Sequence, residues 1–155
     1  LLDLAVYPQT WVIGALGFPT AVQASGRLNS EGVDELSALA LSFPGGEQAQ
    51  VLVSFVSDST RKARIVGTEG YVETDAPLTK PEGYTVGGAG QLHHESVPHG
   101  YEPYTFQLRE VTRCIQHGML ESPTMPLEHT LRTMRLLDEV REQLGMTLPN
   151  DATGE

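Results

Sequence analysis

Apolar positions recur with two different periods along this chain, and the change between them marks out three parts. The opening run, Leu1-Leu-Asp-Leu-Ala-Val-Tyr-Pro-Gln-Thr-Trp-Val-Ile-Gly-Ala-Leu-Gly17, is almost continuously apolar. Proline biases the residue before it away from the α region and suits a first helical position, so a helix is expected from Pro8, with Gly17 as its stop. A period of two then takes over. Strands are expected at 20–27, 33–43, 47–57, 61–66, 71–74, 79–86 and 91–97, with turns at Asn29-Ser-Glu-Gly32, Pro44-Gly45-Gly46, Gly67-Thr-Glu-Gly70 and around Gly87, Gly88 and Gly90. The helical period returns at the end. Pro103 is expected to open a helix striped by Leu108, Val111, Ile115 and Met119, and Pro126 to open another striped by Leu127, Leu131, Met134, Leu137, Val140 and Leu144. Glu121-Ser-Pro-Thr-Met-Pro126 joins them, and Gly145 ends the last. This order predicts an α+β fold: an open-faced, predominantly antiparallel β-sheet with helices packed on one face.

The alternation also says something about the second face of the sheet. Leu39, Leu41 and Phe43 share a face with Val51, Val53 and Phe55 across the predicted hairpin. The opposite face carries Ala38, Ala40, Ser42, Leu52, Ser54 and Val56, none of them charged. A sheet face left in water normally alternates with clearly polar residues. This one is expected to meet another surface, and side chains so small let a second sheet approach to about 10 Å. A two-fold pairing of the face with itself, giving a homodimer or dimer of dimers, is the expected use.

Length and charge narrow the classes. A chain of 155 residues is read as one domain over 1–147 followed by a polar tail, 148–155. The net charge is −10 and no Lys/Arg stripe is present, which argues against nucleic acid and anionic membrane surfaces. No apolar run is long enough to span a bilayer. The single cysteine, Cys114, rules out an intrachain disulfide and fits a reducing, cytoplasmic setting. The apolar start without a polar lead-in reads as a piece of a longer protein.

Candidate chemistry centres on Asp3 and Tyr7. A spacing of four places them on one side of a helix and also of an extended segment. A carboxylate beside a phenol is a plausible proton-handling pair, and the competing reading is a helix-capping Asp and a packed core ring. The histidines do not make a metal site: adjacent His93 and His94 point to opposite faces of a strand, and His99, His117 and His129 have no partner at ligand spacing. Cys114 reads as a packing residue, and Ser54, Ser57 and Ser59 lie in no nucleophile elbow. The glycines at 87, 88 and 90 precede a polar strand, so they read as a turn and not a phosphate loop. Trp11, Tyr101, Tyr104 and Phe106 are aromatics that could wall a binding site or pack internally.

Three stretches together resemble a known family. Asp3-Leu-Ala-Val-Tyr7-Pro8 is similar to the Asp-x-Gly-x-(His/Tyr) motif of the Gfo/Idh/MocA oxidoreductases, with Ala5 where that family usually has glycine. Gly67-Thr-Glu-Gly70 resembles its mid-sheet turn, and Glu110-Val-x-Arg113-Cys114-Ile115-x-x-Gly118 followed by Glu121-Ser-Pro-x-Met-Pro126 its C-terminal signature. The likeness is strongest to the dimeric dihydrodiol and xylose dehydrogenase branch. It implies a substrate-binding and oligomerisation domain of an oxidoreductase that uses NADP or NAD on the CH–OH group of a sugar or trans-dihydrodiol, without metal. The Rossmann domain that binds the cofactor, with its glycine fingerprint and Glu-Lys-Pro lysine, would lie outside this chain. Carried over, Tyr7 is the acid/base and Asp3 contacts substrate; Tyr104 and Phe106, from the aromatic cluster, are the further residues expected to bind it. No residue here is expected to bind the cofactor. A free tyrosine titrates near 10 and needs a neighbouring cation to act as a base near neutrality, so the chain alone is expected to be inactive. The alternative is a non-catalytic binding or scaffold domain that self-associates through the open sheet.

Overall fold

The first helix, α1 (Val6–Leu16), begins two residues earlier than the proline suggested. Pro8 sits in its first turn, where a missing N–H costs little. Backbone bonds from Ala5 N–H to Leu1 O (2.8 Å) and from Gln9 N–H to Ala5 O (3.0 Å) carry the helical path through the residue that precedes proline. Gly17, at φ 78°, closes the helix by donating to Ile13 O.

In the computed structural model, which describes residues 1–98, 100, 102, 104–148 and 151, seven strands and two further helices follow. β1 (Ala21–Leu28), β2 (Asp34–Ser42) and β3 (Gln48–Ser54) form one antiparallel sheet in that order. β4 (Arg64–Val66), β5 (Tyr71–Thr74), β6 (Gly83–Gly88) and β7 (Gln91–Ser96) form another. Then come α2 (Thr105–Gln116) and α3 (Leu127–Leu144). The class is α+β and the pairing antiparallel, as the alternation implied. Two compact units share the chain: Leu1–Asp58 with the stretch from Leu127 onward, and Ser59–Pro126.

In the first unit, one face of the three-stranded sheet is covered. Val22, Leu39, Leu41 and Val51 meet Val12 of α1 and Leu136, Leu137 and Val140 of α3, with Leu1, Ala5, Phe43 and Met146 completing the core. Removing a Leu or Val side chain from water contributes about 1.5–3 kcal/mol. The α3 stripe is only partly used. Leu127 and Leu131 are exposed, while Thr133, Leu136, Leu137 and Val140 are buried. Periodicity shows which face of a helix is apolar but not how much of its length lies over a core.

Two details fix α3 against β1. Gly26 has no side chain where one would strike Leu36 O and Leu144. The Gln143 carboxamide accepts from Ala24 N–H at 2.7 Å and donates to Val22 O at 3.0 Å along the edge of the sheet. The other face of the sheet is open: Ala40 and Ser42 are exposed, Ala38 and Ser54 half-buried, and Leu52 two-thirds exposed. Val56 is exposed beyond the end of β3.

The second unit has polar ties. Lys62 and Arg64 both bond Glu73 across β4 and β5, at 3.0 and 2.7 Å, and hold its carboxyl below the usual range, the Lys62 bond most. The α2 stripe expected to be buried is not: Leu108, Val111, Ile115 and Met119 are exposed, and Cys114 alone among the helix residues is buried. What secures α2 is polar. Glu110 accepts from Arg113 Nε and Nη2 at 2.8 Å each and from the Ser122 hydroxyl at 2.6 Å, the last tying the helix to the turn after it. These bonds, Arg113 first, hold the Glu110 carboxyl down to about 2. An apolar stripe shows that a helix could be buried; here the stripe stays exposed, and the named polar bonds lie within the helix and to the turn after it.

Candidate active site

The site begins with how the opening turn is anchored. Leu1 and Ala5 are buried, and the bonds from residue 1 to 5 and from 5 to 9 repeat at helical spacing. Asp3 and Tyr7 therefore lie one turn apart on a helical path. Ala5 sits at φ −73° and ψ −22°, which any residue adopts, so alanine at this position brings no strain.

Neither competing structural role holds. The N-cap of α1 is Ala5, with no side-chain cap bond, so Asp3 does not cap the helix. Tyr7 is 52% exposed and is no core ring. Among the described residues neither side chain is engaged in a hydrogen bond or ion pair. A carboxylate and a phenol, both free and exposed, stand on a backbone rooted in the core. Such a pair can accept a hydrogen bond from a hydroxyl and exchange a proton with an oxygen.

Tyr104 and Phe106 lie in the second unit, at the N-cap and in the first turn of α2, 69% and 53% exposed. They are presented as surface rings. His99, Tyr101 and Pro103 lie outside the described residues, as does most of the tail.

The remaining candidates settle into local contacts. His93 and His94 point to opposite faces, toward Glu95 at 3.2 Å and Asp75 at 3.1 Å. The His117 ring reaches Arg113 O, and His129 packs edge-on against Phe18. Among the described residues no cluster of three His, Cys, Asp or Glu could hold a metal. Gly87, Gly88 and Gly90 turn β6 into antiparallel β7, not into a helix. A dinucleotide pyrophosphate needs a strand, a glycine loop and a helix N-terminus in succession. The described residues supply no such cradle and do not fit that cofactor.

One polar group escaped the reading from sequence. Asp34 is buried at the start of β2 and accepts the hydroxyl of the buried Ser37. A register shift between Arg27 and Leu28 turns it inward, and alternation alone would not reveal it.

Comparison with known proteins gives these residues a context. A family model described as the GFO/IDH/MocA C-terminal domain matches residues 1–73. The chain is 27% identical to trans-1,2-dihydrobenzene-1,2-diol dehydrogenase of Bos taurus, over 97% of this chain and 48% of that protein. It is 30% identical to scyllo-inositol 2-dehydrogenase (NADP(+)) of Bacillus subtilis, over 97% of this chain and 46% of that one. The chain thus spans about half the length of the curated relatives it matches. The fold is shared with aldose-aldose oxidoreductase from Caulobacter crescentus, at TM-score 0.79 and 20% identity over 92% of this chain and 44% of the other. It is shared equally with a 3-ketoreductase from Actinomadura kijaniata solved with TDP-benzene and NADP, at 0.79 and 21% over 93% and 46%.

Proposed function

We infer that this chain, which carries the C-terminal domain of the Gfo/Idh/MocA family, is the substrate-binding and oligomerisation domain of an NAD(P)-dependent oxidoreductase. It acts on the CH–OH group of a sugar or trans-dihydrodiol; a dihydrodiol and an inositol are named in its relatives and an aldose in a protein of the same fold. The observation that carries the reading is the pairing of Asp3 and Tyr7: exposed, unengaged and one turn apart on an anchored backbone. The cofactor, held elsewhere in the full protein, would supply the hydride chemistry. What this chain supplies is proton handling. In reduction the Tyr7 hydroxyl donates its proton to the substrate oxygen, and in oxidation its phenolate takes the alcohol proton. Asp3 accepts a hydrogen bond from a neighbouring substrate hydroxyl and orients the ring.

The open face of the β1–β3 sheet supports the second role. A scaffold domain without catalysis would use the same face, and Tyr7 separates the two readings. Tyr7→Phe keeps the ring and removes the proton. In the full-length enzyme it is expected to lower kcat by about 10²-fold or more, the scale of lost acid–base help. Near-normal turnover would leave the scaffold reading standing. The chain alone is expected to show no binding of NADPH in a fluorescence titration, and a micromolar affinity would contradict the assignment.

A further inference from the structure

α1 is apolar over most of its length, yet its outer side is not. With 3.6 residues to a turn, Asp3, Tyr7, Thr10 and Gly14 fall within an arc of about 60° along the helical path, and all four are exposed. Ala5, Gln9, Val12 and Leu16 fall on the opposite side, the first three buried and Leu16 packed against the core. The fold of this chain gives no reason for two residues of the outer arc. Gly14 lies inside the helix without a positive φ, and an added Cβ would meet nothing within 4 Å. Glycine there only weakens the helix relative to alanine. A threonine within a helix commonly returns its hydroxyl to the carbonyl four residues back, as Thr112 does to Leu108 O at 2.8 Å in α2. The Thr10 hydroxyl makes no such bond and is engaged by no group among the described residues. Residues that the helix disfavours and the core does not need are expected where a ligand lies.

The arc also has an order. Tyr7 meets the reacting oxygen, and Asp3, one turn before it, takes a neighbouring hydroxyl. Thr10 stands one turn beyond Tyr7 with a hydroxyl that both donates and accepts. A dihydrodiol has hydroxyls on two adjacent carbons only, and Tyr7 with Asp3 accounts for both. A sugar or cyclitol carries further hydroxyls around its ring, and the bare backbone at Gly14 lets that ring lie close to the helix. We propose that Thr10 and Gly14 extend the site along α1 and select a polyhydroxylated substrate, a sugar or cyclitol, over a dihydrodiol. Thr10 is the specificity residue, bonding a hydroxyl that neither Tyr7 nor Asp3 holds. This rests on the reading of Tyr7 and Asp3 given above.

The test uses the full-length enzyme with NADP⁺ and three probes: scyllo-inositol, D-xylose and trans-1,2-dihydrobenzene-1,2-diol. The parent is expected to show a higher kcat/KM on one of the two polyols than on the diol. Thr10→Val keeps the branched shape and removes the hydroxyl. It should lower the ratio of polyol to diol kcat/KM by about 3- to 10-fold, the scale of one neutral hydrogen bond, through KM for the polyol with kcat nearly kept. Thr10→Ser restores the hydroxyl and should recover most of that loss. Gly14→Ala favours the helix, yet it should raise KM for the polyol by at least about 5-fold because the methyl intrudes on the ring. A parent that prefers the diol would overturn the proposal. So would a Thr10→Val enzyme with an unchanged ratio or a loss in kcat alone, since a residue that only supports the helix slows both substrates alike. Any of these results beside a crippled Tyr7→Phe enzyme refutes this inference alone. A fully active Tyr7→Phe enzyme refutes the acid/base reading and this inference with it.

Discussion

Gly26 sets two effects of opposite sign against each other. Replacing it with alanine restricts the unfolded chain, which stabilises by about 0.4–1 kcal/mol where the new side chain fits. Here it does not fit. A Cβ at Gly26 would stand 2.5 Å from Leu36 O and 3.0 Å from Leu144 Cδ2. Leu144 can swing aside, but Leu36 belongs to β2, paired with β1 on one side and β3 on the other. Its carbonyl cannot retreat without disturbing the sheet. Overpacking of this kind costs about 1–3 kcal/mol, so a net destabilisation of about 1–2 kcal/mol is expected. For a chain of this size that lowers Tm by about 2–8 °C. Urea unfolding followed by far-ultraviolet circular dichroism measures it, with an unchanged m value showing that stability alone has moved. Gly14→Ala is the control, because nothing lies within 4 Å of its added methyl and the site is helical. That variant should gain about 0.5–1 kcal/mol. A Gly26→Ala protein as stable as the parent would show that the Leu36 carbonyl does not crowd Gly26 as described.

Other outcomes follow from burial and charge. Leu137→Ala should cost about 2–5 kcal/mol in the same unfolding assay, because Leu137 is 1% exposed, whereas Leu131→Ala at 52% exposure should cost far less. Glu110 titrates at about 2 in the fold against 4.5 when free, so its contacts contribute fully above pH 4.5 and are lost as pH falls toward 2. Carbon-13 shifts of its carboxyl should show that low midpoint, and a value near 4 would mean that the Arg113 and Ser122 bonds do not persist in solution. If the open sheet face is the dimer interface, Ala40→Arg places like charges against each other across the two-fold. The dissociation constant should then rise at least about 100-fold by sedimentation, since an unpaired buried charge costs about 3–5 kcal/mol. An unchanged dimer would put the interface elsewhere.

Much of the fold could be read from the chain because its signals are local. Gly17 stops α1, the inward row of Leu39 and Leu41 emerges from simple alternation, and adjacent His93 and His94 diverge as strand neighbours must. What escaped depends on distant partners. Pro8 predicts the start of a helix, but a turn upstream carries the helical bonds past it. The α2 stripe gave the apolar residues correctly, but they stay exposed, and the Ser122 hydroxyl bond to Glu110 ties the helix only to its own following turn. Asp34 was hidden by a register shift, which period-two reasoning has no means to detect. At the site, the spacing of Asp3 and Tyr7 was plain in the sequence. Their freedom from structural duties was not, since exposure is a property of the folded chain.

The Gln143 carboxamide has a consequence for how strand β1 is aligned. It offers one acceptor and one donor, at a separation that suits Ala24 N–H and Val22 O, two positions on the same side of the strand. Sliding β1 by one residue would rotate those groups toward β2 and present the wrong ones to the glutamine. The side chain therefore checks the pairing of the sheet from outside it, and α3 docks fully only onto a correctly aligned strand. An incoming strand from another molecule would find this edge already occupied, and would have to break both bonds before it could add.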